Sequence, residues 1–235
     1  MKISKLSIVI PAYNEEKTLE GILGKVEAAN FGHVEKEIII IDDGSGDKTR
    51  EILKKYENKY RVIYHDKNMG KGAAVRTGFG AATGDYVVVQ DADLEYDPND
   101  IAVMVKLAAE KDAGVVYGSR RLGLLKKKNP MAGWVYHLGG RFLTLFANFL
   151  YGISITDEPT CYKMVSRRII DRMELEANGF EFCPEITAKI ARLGVPIHEV
   201  PISYNPRSVK EGKKIKFKDG LIAIWTLIKY RFKKI

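Results

Sequence analysis

The chain has 235 residues, 46% apolar and 10% aromatic, which excludes an intrinsically disordered protein and is enough for one large core. Its net charge of +8 is unevenly placed: residues 1–118 hold 16 Lys/Arg against 20 Asp/Glu, and residues 119–235 hold 22 against 10. A basic back half suits phosphorylated substrates or anionic lipid; no recognisable nucleic-acid module accompanies it, so nucleic acid is not expected.

Residues 1–11 are too few and too charged for a signal peptide, so export is not expected. Residues 6–10 read as a short buried strand stopped by Pro11. A helical pattern follows at Leu19, Ile22, Leu23 and Val26, with Asn14 as its N-cap and Glu15 and Glu16 in the first turn. Residues 37–41 give a second strand ending in Asp42-Asp43-Gly44-Ser45, and Asp47 caps the next helix. Residues 61–65 are a third strand, and Gly70-Lys71-Gly72 opens a helix reaching Ala82. Residues 86–90 are a fourth, Asp97-Pro98 starts another helix, and residues 114–118 are a fifth strand. Strands alternating with helices of this length imply βαβ units and a mostly parallel, Rossmann-like sheet flanked by helices. The loop after the first strand lacks glycine, which excludes the dinucleotide-binding fingerprint, and Gly70-Lys71-Gly72 is too short for a Walker A loop.

Residues 134–155 are mostly apolar, but Arg141 near the middle and Gly139-Gly140 argue against a membrane span; a buried helix is favoured over an interfacial one. Residues 161–165 read as a strand, 185–192 as a helix, and 199–204 as extended, at an edge because of Pro201. Cys161 and Cys183 lack metal-ligand spacing and read as buried thiols of a reducing compartment. Residues 213–235 are Lys-rich around an apolar middle with Trp225, either an interfacial helix or a terminal helix docked on the core.

The fourth strand delivers Asp91 and Asp93, with Glu95 two residues on, to the sheet edge where open α/β sheets bind ligands. In an extended segment all three point the same way and repel unless a cation lies between them. Oxygen-only donors suit Mg²⁺ or Mn²⁺; the alternative is a solvated acidic turn. Tyr13, Glu15, Asp43, Lys71, Asp91 and Asp93 together offer a ring to stack on a base, acceptors for base N–H and ribose hydroxyls, and a cation for a diphosphate. Cleaving a nucleotide-sugar needs those parts.

The ordered stretches Pro11-Ala12-Tyr13-Asn14-Glu15, Asp42-Asp43-Gly44-Ser45, Asn68-x-Gly70-Lys71-Gly72, Asp91-Ala92-Asp93-Leu94, Gly118-Ser119-Arg120 and Glu199-Val200-Pro201-Ile202 with Arg207 cover nearly the whole chain. In them the sequence resembles inverting GT-A glycosyltransferases of the dolichyl-phosphate mannose synthase and polyprenyl-phosphate glycosyltransferase family. The resemblance implies a single GT-A domain over residues 1–205, with a nucleotide-sugar half (1–118) and an acceptor half (119–205), then a basic amphipathic segment (206–235). It implies a nucleotide pocket of Pro11, Ala12, Tyr13, Glu15, Ile41, Asp43, Lys71, Asp91 and Ala92, and metal at Asp91, Asp93 and Glu95. Arg120, Arg141, Thr144, Arg207, Lys213 and Lys214 are then expected at the acceptor phosphate, with Asp93, Arg120 and Asp157 catalytic. Asp157 sits where transferases to hydroxyl acceptors keep a general base.

The implied activity moves a hexose from GDP-mannose, or alternatively UDP-glucose, onto a polyprenyl or dolichyl phosphate. A phosphate acceptor is already ionised near neutral pH and needs positive charge, not a base; a hydroxyl acceptor needs Asp157. The basic half also fits a peripheral enzyme on the cytoplasmic membrane face, with or without a membrane-anchored partner. A non-enzymatic basic module binding membrane or nucleic acid is the competing class, and it leaves the three acids unexplained.

Overall fold

Branched apolar runs make the strands and fix which faces are buried. The computed structural model describes residues 3–127, 134–207 and 217–233. The strands are β1 (Lys5–Ala12), β2 (Glu35–Asp42), β3 (Arg61–Tyr64), β4 (Tyr86–Val89), β5 (Val115–Ser119), β6 (Lys163–Ser166) and β7 (His198–Pro201). The helices are α1 (Leu19–Ala28), α2 (Thr49–Lys54), α3 (Lys71–Ala81), α4 (Asn99–Lys111), α5 (Arg120–Lys127), α6 (Trp134–Tyr151), α7 (Arg167–Ile170), α8 (Phe182–Arg192) and α9 (Phe217–Phe232). The strands form one sheet in the order β3-β2-β1-β4-β6-β5-β7, parallel except that β6 runs against both β4 and β5. The mostly parallel sheet is as expected, and residue 118, expected between the two halves, lies inside β5.

Alternation along the strands builds two layers. Ile8, Ile10, Ile38, Ile40 and Val88 pack with Leu19 and Ile22 of α1 and Ile101 and Met104 of α4. Val9, Ile39, Ile41, Val87 and Val89 pack on the opposite face with Val75 and Phe79 of α3 and Ile186 and Ile190 of α8. Helix α3 approaches the sheet closely because residue 78 is glycine; a Cβ there would collide with Val9 and Ile41.

Two local readings are corrected. Pro11 does not stop β1, which continues to Ala12 beside β2. Val9 O accepts from Gln90 N–H, whereas Ala12 O accepts from Asp43 N–H, so Pro11 faces the side where β4 has already ended and no ladder bond is lost. Asn14 is not the cap of α1: it adopts φ 51°, and the cap position falls four residues later at Thr18, with the helix beginning at Leu19. Its amide oxygen instead accepts from Gly46 N–H at 2.8 Å, tying the β1 loop to the β2 loop.

The helix at residues 134–151 is not buried as expected. Leu143 and Ala147 of α6 pack on Ala223, Leu227 and Tyr230 of α9 and Ala188 of α8. Leu138, Phe142, Leu145 and Phe149 line its other side in solvent, Phe149 at 87% exposure. Helix α9 docks on the core and still exposes Leu221, Trp225 and Phe232. No helix among the described residues is long and apolar enough to cross a membrane.

Glu37 of β2 joins three segments: it accepts from Ser7 Oγ of β1 and from Thr83 N–H (2.7 Å) and Oγ1 (2.6 Å) in the turn before β4, with Lys5 Nζ at 3.5 Å. Burial alone raises this carboxyl, but those hydrogen bonds and Lys5 outweigh it and bring it down to about 2. A depressed carboxyl stabilises the fold above its unfolded value and loses that contribution as pH falls toward the folded one. Stability is therefore expected to drop between about pH 5 and pH 2, by on the order of 2–3 kcal/mol from this group. Glu37→Gln should flatten that part of a urea-denaturation pH profile; an unchanged profile refutes the assignment.

Candidate active site

The carboxyl ends of β1, β2 and β4 open on one rim, and the loops leaving them carry most of the expected residues. Tyr13 leaves β1 partly exposed. Glu15 is buried, its N–H bonded to Thr49 Oγ1 at 2.8 Å and its carboxylate to Thr18 Oγ1 at 2.7 Å. Pro11 and Ala12 pair with Ile41 and Asp42 across the β1–β2 edge. The Ile41 side chain faces the core beside α3, so only its backbone can line a pocket.

Asp43 shapes the rim. Its carboxylate accepts from Met69 N–H (2.9 Å) and Gly70 N–H (2.8 Å) and meets His65 Nδ1 at 2.8 Å, fixing the entry to α3. Gly70 has φ +97°, and at Gly72 a Cβ would stand 2.5 Å from Ala177 O, so both glycines are required by the 177–179 backbone crossing them. Lys71, the first residue of α3, is thereby aimed inward, with Nζ 2.6 Å from Asp91 Oδ1 and 3.1 Å from Cys161 Sγ. Burial pulls its ammonium down, but Asp91 and the two cysteines outweigh that and keep it protonated. Reciprocally, burial raises the Asp91 carboxyl, and Lys71, Cys161 and Arg207 together more than offset it.

The acids after β4 do not lie along an extended segment. The chain turns at residues 92–96, with Leu94 at φ 62°, which splits Asp91 from its two neighbours. Asp91 faces Lys71, whereas Asp93 and Glu95 face Arg207. Arg207 Nη2 lies 2.9 Å from Asp93 Oδ2, Nη1 3.3 Å from Glu15 Oε2, and Nε 3.5 Å from Glu95 Oε1. Burial, then the charges of Asp91 and Glu95, push the Asp93 carboxyl up to about 7, with Arg207 acting in the opposite sense. Among the described residues no three His, Cys, Asp or Glu side chains stand close enough to hold an ion as they are. Yet Glu15, Asp93 and Glu95 already surround one cation, the Arg207 guanidinium, and offer only oxygen donors. That chemistry fits Mg²⁺ or Mn²⁺, with Glu15 as an acid the sequence reading had assigned to the nucleotide.

On the acceptor side, Arg120 opens α5 directly after β5. Its Nε and Nη2 each stand 2.7 Å from the Asp157 carboxylate, and its backbone N–H donates to Asp157 Oδ2 at 2.9 Å. The guanidinium also lies 5.2 Å over the Tyr204 ring. Glu199 holds the Asp157 turn by accepting from Thr156 N–H and Oγ1 and from Asp157 N–H. Sequence reasoning missed Glu199, Tyr204 and the Lys71–Asp91 pair, because each depends on a contact across distant segments.

Thr144 departs from expectation. It is buried, donates its hydroxyl to Gly140 O at 2.8 Å and accepts from Glu158 N–H at 3.0 Å, so no hydroxyl proton remains for a phosphate. Its role is to fix α6 to the loop that carries Asp157. Arg141 is exposed on α6, Ala92 is buried in the core, and Lys213 and Lys214 lie outside the described residues. Cys161 and Cys183 are free thiols, neither of them fully buried.

Comparison with known proteins gives this rim a lineage. Residues 7–173 match Glycosyl transferase family 2. The chain is 32% identical over 240 residues to dolichyl-phosphate beta-glucosyltransferase ALG5A of Trichomonas vaginalis, covering 94% of this chain and 71% of that protein. It is 30% identical to dolichol-phosphate mannosyltransferase of Pyrococcus furiosus, covering 89% and 59%, and 31% identical to the hexosyltransferase Agl6 of Haloferax volcanii, covering 92% and 51%. The chain thus spans only about half to two thirds of several relatives it matches. Among solved structures, glucosyl-3-phosphoglycerate synthase from Mycobacterium tuberculosis, in complex with Mn²⁺, UDP-glucose and phosphoglyceric acid, superposes with a TM-score of 0.74 at 22% identity, covering 99% of this chain and 81% of that one. The fold is GT-A, and the chain belongs to glycosyl transferase family 2.

Proposed function

We propose that this chain transfers a hexose from a nucleotide-sugar to a polyprenyl phosphate, with inversion and with help from a divalent ion. The carrying observation is the state of Asp157. Its carboxylate is bound to Arg120 through three hydrogen bonds, which suits holding an arginine far better than removing a proton. A phosphate monoester attacks without a base and needs a fixed cation beside it, so Arg120 is the acceptor-phosphate ligand and Asp157 the residue that orients it. At the donor end Tyr13 stacks on the base, while Lys71 and the Asp91 and Asp93 turn receive the diphosphate. The ion, held by Asp93 with Glu95 or Glu15, would neutralise the departing diphosphate. The relatives include enzymes named for glucose and for mannose, so UDP-glucose and GDP-mannose are the donors to compare. The test is a screen of both donors, with Mn²⁺, against a polyprenyl phosphate and the matching free polyprenol. A hexosyl-phosphoryl lipid formed only from the phosphate is expected; transfer to the free alcohol sinks the proposal.

The acceptor's apolar tail gives the exposed helices a use. Leu138, Phe142, Leu145 and Phe149 of α6 and Trp225 and Phe232 of α9, with Lys218 and Lys229 alongside, have the composition of helices lying in a membrane interface. The double variant Phe149→Glu/Trp225→Glu is expected to bind anionic vesicles at least about ten-fold more weakly while melting normally. Undiminished sedimentation with the vesicles excludes this surface.

A further inference from the structure

Arg207 stands among the acids to which the functional reading gives the donor's cation. Its guanidinium lies within 3.5 Å of Glu15, Asp93 and Glu95, carboxylates that come from two different strand ends. The backbone that carries it is strapped to the same turn: Asn205 N–H donates to Glu95 O at 2.8 Å, and Arg207 N–H to Glu95 Oε1 at 3.0 Å. The fit is incomplete. The buried Arg207 Nε makes no hydrogen bond, although Glu95 Oε1 lies 3.5 Å away. A divalent ion neutralises the cluster better and brings a diphosphate with it, whereas the guanidinium fork matches a phosphate monoester.

We propose that Arg207 is the resident counter-cation of the Glu15–Asp93–Glu95 cluster, displaced when the cation enters with the donor and thereby released to the acceptor phosphate. One residue then sets the order of events: donor first, acceptor second. Because Arg207 and the cation compete for Asp93, each weakens the other's hold by the same factor, and couplings of this kind typically amount to about 5–150-fold. The inference rests on the functional reading above, and its test separates the two.

Mn²⁺ alone, titrated into the full chain and into Arg207→Gln and followed by electron paramagnetic resonance, is expected to bind the variant on the order of ten-fold more tightly. Equal or weaker binding to the variant, with measurable binding to the unaltered chain, overturns the role of Arg207 and leaves the transferase reading standing. Binding to neither protein overturns the competition between Arg207 and the cation and leaves the transferase reading to the donor screen. A second measurement does not depend on the variant folding. Hydrogen exchange at the Asn205 and Arg207 amides should speed up when Mn²⁺ and UDP, or Mn²⁺ and GDP, are added together. Unchanged or slower exchange at both amides with either nucleotide, under conditions where that nucleotide binds, overturns the displacement.

Discussion

Asp93→Asn is expected to lower hexose transfer by about three orders of magnitude and, at pH 8, to raise the melting temperature. The rate falls because asparagine keeps the shape and removes the charge that lies between Glu15 and Glu95; losing one such electrostatic group at a reacting centre commonly costs about 10²–10³-fold. The stability gain has a separate origin. Burial and two neighbouring acids hold the Asp93 carboxyl at about 7, above its ordinary value of 3.8. For a carboxyl raised in this way, the folded state is favoured while the group is protonated, and stability is lost as pH climbs from about 4 to beyond 7. Asparagine never incurs that loss. The variant should therefore melt above the unaltered chain at pH 8, with the difference shrinking toward pH 4 in scanning calorimetry. A variant that melts lower at both pH values, or that retains full turnover, contradicts the placement of Asp93 in the cluster.

The second large effect concerns Arg120 and Asp157. Arg120→Met should reduce transfer by about 10²–10³-fold, since a truncated charge-assisted contact to a phosphate loses both attraction and alignment. Asp157→Asn should do much less, about 10–100-fold, with most of the loss in KM for the lipid phosphate and an unaltered pH profile. The reason is geometric. Asparagine still accepts one hydrogen bond from the guanidinium but cannot hold its fork with two oxygens. If Asp157 were the proton acceptor for a hydroxyl, the same change would abolish turnover at every acceptor concentration. The asymmetry between the two variants is the discriminating result. Glu199→Gln should resemble Asp157→Asn in weaker form, because it loosens the turn that presents Asp157.

Much of this was legible from residue patterns. The strands at Ile38–Ile41 and Tyr86–Val89 are unbroken apolar runs with carboxylates at their ends, and in a parallel sheet such ends share one rim. The error at the acids came from carrying strand alternation past Gln90. The left-handed residue at Leu94 breaks that alternation and separates Asp91 from Asp93, and leucine gives no warning of such a conformation. At Thr144 a hydroxyl in a helix has a carbonyl four residues back within reach, and it takes that bond. Arg207 was expected among the phosphate-binding residues, yet its ion pairs with Glu15, Asp93 and Glu95 span more than a hundred residues, and no local pattern encodes them. For α6 a buried helix was favoured over an interfacial one, because a stripe of leucine and phenylalanine reads the same whether it is covered or exposed.

The reversed strand β6 has a consequence for how the molecule is made. Val115–Ser119 leaves the ribosome early, but its sheet neighbours are Lys163–Ser166 and His198–Pro201, and Tyr86–Val89 is joined to it only through the former. Until residue 166 has emerged, the segment around Tyr117 has nothing to pair with, and its apolar side chains remain open to wrong partners. Nascent chains arrested near residue 180, with Tyr117 emerged and residue 166 still in the tunnel, should therefore engage chaperones more strongly than chains arrested near residue 205.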